Sequence, residues 1–148
     1  MNVVTGAAEF VERGSISTDT WSIQKGQAVL RWDFNQRGTS GVLFGRAPGE
    51  TQWKPVRKIT RESGFNRPDF DIVGSTEQAG VFLAVHRKGD EPSASLRPFD
   101  VRTMEFGQPI FARPDRDVDD ALVDESGRFV AAVYHDDRVV YDFADKRL

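Results

Sequence analysis

The sequence predicts an all-β chain, and three observations predict it. Apolar residues recur at a spacing of two, turn residues interrupt them at short intervals, and one strand-turn-strand pattern returns about every 50 residues. In Gln27–Phe34 the positions Ala28, Leu30, Trp32 and Phe34 are apolar, whereas Gln27, Arg31 and Asp33 are polar. That alternation turns one face of a strand inward and the other outward. Residues 81–85 and 129–134 are continuous apolar runs, as expected for strands covered on both faces. Val139, Tyr141 and Phe143 again alternate with Val140 and Asp142. No stretch of a dozen residues carries a capped helical stripe.

The turns fall at Lys25-Gly26, Arg37-Gly38, Pro48-Gly49, Ser63-Gly64, Lys88-Gly89-Asp90 and Ser126-Gly127. Glycine supplies the positive φ of a tight hairpin, and Pro48 pre-sets a turn backbone. The repeat then orders the strands. Residues 21–24 lead into 28–34, 70–75 into 81–86, and 121–124 into 129–134, each through a glycine-containing turn. Third strands follow at 41–47, 95–101 and 139–143, and fourth strands at 53–60 and 104–112. Four antiparallel strands recurring at about 40–50 residues is the spacing of a β-propeller blade. The expected architecture is a partial β-propeller of about three blades of four-stranded antiparallel sheet. The blades span 19–62, 68–113 and 118–148, with 3–12 as the outer strand of a neighbouring blade. Propellers typically have four to eight blades, so this would be a piece of a larger one, with apolar faces exposed on its end blades.

The composition agrees with one globular domain. There are 148 residues, 39% hydrophobic and 29% charged, which is neither a disordered nor a membrane-spanning mixture. No apolar run approaches the roughly 18 residues of a membrane helix, and two glutamates interrupt the N-terminal segment where a signal peptide would stay apolar. Without cysteine there is no disulfide, thiolate zinc site or cysteine nucleophile, and the compartment is left open between cytosol and periplasm. Twenty basic against 23 acidic residues give a net charge of −3, unfavourable for nucleic-acid binding. Residues 1–62 carry 9 basic and 6 acidic side chains, and residues 63–148 carry 11 and 17, which predicts two differently charged surfaces.

Residues 115–143 (DRDVDDALVDESGRFVAAVYHDDRVVYDF) resemble a propeller blade of the prolyl oligopeptidase family of serine peptidases, in particular bacterial acylaminoacyl-peptidase or dipeptidyl-peptidase types. The acidic lead-in Asp117-Val118-Asp119, the turn 124–128 and the strand ending Val133-Tyr134 carry the likeness, and residues 20–34 are similar to another blade. The resemblance implies a propeller seated over an α/β-hydrolase domain, which filters substrates by size and helps shape a pocket for short peptides. The family's Gly-x-Ser-x-Gly elbow does not occur; the nearest string, Gly38-Thr39-Ser40-Gly41, lacks one residue and lies between strands. No catalytic residue of the family carries over to this chain.

Other candidates have plain structural readings. His86 and His135 end second strands, and no serine is marked out as their partner, so a solvent-edge or hydrogen-bonded role is expected. The acidic residues Asp115, Asp117, Asp119, Asp120, Asp124 and Glu125 fail an EF-hand test, with Asp120 where glycine is needed and Ser126 where glutamate is needed. They read as a solvated approach to an inner strand. In a closed propeller, Asp117, Asp119 and Asp120 would reach the channel mouth and attract a peptide's amino terminus. Trp21, Trp32 and Trp53 read as core or inter-blade packing, and Arg57, Lys58 and Arg61 as a charged edge. No phosphate loop, metal site or cofactor motif is present. The expected function is a noncatalytic propeller segment that gates and positions peptides for a hydrolase domain. The alternative is an independent β-sheet interaction or ligand-binding module. The partners expected are that hydrolase domain, short peptides and a second copy joined through exposed blade edges.

Overall fold

A computed structural model describes residues 12–60 and 70–145. Among them are eleven strands and no helix. The strands are β1 (Thr18–Gln24), β2 (Gln27–Phe34), β3 (Ser40–Gly45), β4 (Lys54–Thr60), β5 (Phe70–Ser75), β6 (Val81–His86), β7 (Ser95–Asp100), β8 (Glu105–Phe106), β9 (Asp120–Val123), β10 (Phe129–His135) and β11 (Val139–Phe143). They form three antiparallel meanders in chain order: β1-β2-β3-β4, β5-β6-β7-β8 and β9-β10-β11. No described sheet closes on itself.

Local chemistry accounts for the hairpins. Lys25 (φ 50°) and Gly26 (φ 76°) both take positive φ between the paired Gln24 and Gln27, the two-residue turn whose twist matches its strands. Along β6, period two sends alternate side chains to opposite faces of the middle sheet. Phe82 and Ala84 join Leu30, Leu43, Phe70 and Phe99 in a core shared with the first sheet. Leu83 joins Leu96, Val118, Ala121 and Ala132 in a core shared with the third. The middle sheet is therefore covered on both faces, which is why residues 81–85 lack any polar alternation. Strands β1 and β5 lie side by side, as do β5 and β9, so the first strands of successive sheets are neighbours.

Two expectations change. The fourth strand expected at 104–112 is only Glu105–Phe106, with Phe111 returning as a single bridge to Leu96. Pro98 on the partner strand lacks a donor, and Pro109 lacks one in the segment itself, so the ladder breaks between 107 and 110. The third sheet has three described strands. The outer strand expected at 3–12 lies outside the described residues except for Glu12, as do 61–69 and 146–148. Those absences cover Arg61 and the ends of all three expected blades.

One side chain ties the first two sheets together. Gln24 ends β1 and is only 6% exposed. Its Nε2 donates to the carbonyls of Thr76 (2.9 Å), Gln78 (3.0 Å) and Val81 (3.1 Å), while its Oε1 accepts from the Gly80 N–H at 2.7 Å. The β5–β6 turn is thus organised by a residue of the preceding sheet. Gln24→Ala strands these groups in a region with little water, and a loss of about 1–3 kcal/mol in unfolding free energy is expected by urea titration.

Candidate functional site

The acidic approach to β9 and the turns at the same end of the stack gather a cluster of charged side chains. Hairpin connectivity brings the β6–β7 turn, the β10–β11 turn and the β8–β9 connection to one end. Asp117 crosses between sheets there. Its carboxylate accepts both bonds of a bidentate pair from Arg87 Nη2 (2.6 and 2.7 Å) and a third from the Ala94 N–H (2.7 Å). Asp119 turns to the end of β10, where its Oδ2 accepts from the His135 N–H (3.0 Å) and the His135 ring Nδ1 (2.8 Å). Asp120 opens β9 and pairs across from Val133, on the opposite face from Ala121 and Ala132. Asp115 bridges Arg113 and Arg116, and Arg116 reaches Asp136 at 2.8 Å. The Arg116 hydrogen bond holds the Asp136 carboxyl below its usual value, and bonds from Arg113 and Arg116 do the same for Asp115.

Of the three carboxylates expected at a channel mouth, Asp117 and Asp119 are thus engaged by neighbouring turns. Asp120 faces away from the core the second and third sheets share. The Asp119–His135 contact has the geometry of an oriented imidazole. Among the described residues, no hydroxyl hydrogen-bonds that ring. Nor do three or more His, Asp or Glu side chains assemble into a metal-holding group among the described residues.

His86 is not at the solvent edge. It is 8% exposed, stacked on Phe106 with ring centroids 3.9 Å apart, and its Nδ1 makes no hydrogen bond. Around it lie Arg97 on β7, Arg57 on β4, and Lys88 and Glu91 in the β6–β7 turn. Buried Arg97 donates from Nε to Ser95 Oγ at 2.8 Å and pairs with Glu91. Burial, then the Arg97 and Arg57 charges, hold the His86 imidazole below its usual value of 6.5. The folded state therefore favours the neutral ring. As pH falls below about 6.5 the unfolded chain takes up this proton first, so stability is full above that pH and declines below it until the folded value is reached. Urea midpoints at pH 7.5 and 5.5, compared between the native chain and His86→Gln, check this: the variant should lose less on acidification.

The tryptophans divide. Trp32 packs into the shared core and stacks on Phe70 at 6.1 Å. Trp21 and Trp53 lie on the far face of the first sheet, where the Arg31 guanidinium stands 5.7 and 5.0 Å from their ring centres and 4.9 Å from that of Phe44. Arg31 Nε is 3.0 Å from Asp33 Oδ1 without hydrogen-bond alignment. Arg46 covers the Trp53 ring at 4.4 Å. Both arginines thus occupy the aromatic platform themselves. Sequence reasoning missed this arrangement, although the alternation of Trp21, Arg31 and Phe44 across paired strands was its signal. Open clefts among the described residues include one of about 250 Å³ between β1 and β5, lined by Ser22, Ile23, Ile72, Gly74 and Phe82, and one of about 270 Å³ beside β8.

No family model, curated protein or solved structure matches this chain.

Proposed function

We propose that the chain is a noncatalytic run of three propeller blades that positions peptides. The observation that carries this reading is the succession of meanders stacked in chain order, with β1, β5 and β9 as side-by-side first strands. A propeller repeats that arrangement about an axis lined by first strands. The likeness of residues 115–143 to prolyl oligopeptidase blades gives the reading its specific form: a filter over an α/β-hydrolase domain that does the bond cleavage. Asp117, Asp119 and Asp120 are then the groups facing a peptide's amino terminus, with Asp120 least engaged.

The gene sequence after the Leu148 codon tests the peptidase form. A hydrolase domain with a Gly-x-Ser-x-Gly elbow is expected, and a stop codon there overturns it. Peptide positioning has its own check in fluorescence anisotropy with short amino-terminal-free peptides on the full reading frame. Neutralising Asp117, Asp119 and Asp120 together should weaken binding, and unchanged affinity removes those residues from the site. The exposed Leu122, Val139 and Tyr141 on the third sheet favour the second reading, an interaction module built on the same stack.

A further inference from the structure

We infer that the outer face of the third sheet docks head to tail on the outer face of the first sheet of a second copy of this chain. The two faces are unlike but suited to one another. On the third sheet, pairing puts Leu122, Val139, Tyr141 and Phe143, together with Asp120, on the side away from the middle sheet. Leu122, Val139 and Tyr141 there are 40%, 44% and 49% exposed, half of the large apolar side chains exposed among the described residues. Exposed apolar side chains gathered on one sheet face mark a contact surface. The corresponding face of the first sheet carries Trp21, Arg31, Phe44 and, through the Val42–Lys58 pair, an exposed lysine.

Charge selects this occupant. Residues 12–60, which build the first sheet, hold eight basic and four acidic side chains; residues 113–145, which build the third, hold four and ten. On the faces themselves, the paired positions of the third sheet carry Asp120 and no lysine or arginine, whereas those of the first carry Arg31 and Lys58 beside Asp33, so third against first brings acid to base. Direction selects it too. The first sheet's inner face meets the second sheet, and the second sheet's far face meets the third, so a second copy placed head to tail continues the same stacking order. This is a heterologous contact, made from two different patches of one chain. It requires only the stack, and its failure leaves the peptidase reading standing.

Sedimentation velocity of the whole chain across micromolar to submillimolar concentrations tests it. Concentration-dependent association that weakens with added salt is expected. Leu122→Glu/Tyr141→Glu should sediment as a monomer, as should Val42→Glu/Lys58→Glu, with thermal melts by circular dichroism confirming that both fold. Leu122→Ser/Tyr141→Ser supplies a milder third-face variant. An equimolar mixture of the two glutamate variants keeps one intact pair of faces and should recover a heterodimer. A native chain that stays monomeric overturns the inference. So does a first-face variant that associates like the native chain, or a mixture that fails to recover the complex.

Discussion

Replacing Phe99 with alanine is expected to remove about 3–5 kcal/mol of stability, the usual cost of deleting a fully buried aromatic ring. Phe99 is 1% exposed and pairs across from Phe82 in the middle sheet. Its ring lies 5.0 Å from that of Phe106 and 6.3 Å from that of Phe70, so one truncation opens a hole in the core that the first two sheets share. The backbone on both sides is held by ladder pairs and cannot collapse inward to refill it. Urea unfolding should show a lower midpoint with an unchanged slope. Tyr141→Ala supplies the contrast: a half-exposed ring on an outer face should cost well under half as much.

The strand positions were legible because they rest on local signals. Period-two alternation placed β2 and β11, and the uninterrupted run at 81–85 announced a strand covered on both faces, as the two cores around β6 show. What escaped were features whose partners lie far along the chain. Gln24 reads as an ordinary turn-flanking residue until the carbonyls of Thr76, Gln78 and Val81 fold over it. His86 looked like a solvent-edge residue at a strand end, and β8 supplies the Phe106 ring that buries it. Asp117 looked solvated within an acidic run, yet Arg87 lies 30 residues upstream and closes on it from the β6–β7 turn. The acidic cluster was visible as composition, while its division into separate ion pairs depends on which turns meet at one end of the stack. The shortening of β8 could have been anticipated from Pro98 and Pro109, which withdraw donors from a ladder that needs them.

Gly127→Val should be at least as costly as the loss of an average core side chain, although the residue contributes no side chain of its own. Gly127 sits at the β9–β10 turn with φ +90°, a conformation that costs a β-branched residue on the order of 1–3 kcal/mol. A Cβ built there would come within 2.6 Å of the Thr76 carbonyl carbon and 2.9 Å of the Glu77 nitrogen. Both are backbone atoms in the β5–β6 turn, whose carbonyls Gln24 already fixes, so the neighbour cannot swing aside as a flexible side chain would. The near side is equally constrained. Asp124 Oδ1 accepts from the Ser126 hydroxyl (2.6 Å) and from the N–H groups of Ser126 (2.9 Å) and Arg128 (3.0 Å), which together hold its carboxyl down to about 2. Strain and overpacking together predict a loss of about 3–5 kcal/mol. Gly127→Ala should lose less, since alanine tolerates positive φ better, but it keeps the same backbone collision. The position therefore separates two causes: if close approach of the two turns sets the cost, alanine should retain most of the valine penalty in urea titrations, whereas if only backbone conformation matters, alanine should fall near 1 kcal/mol.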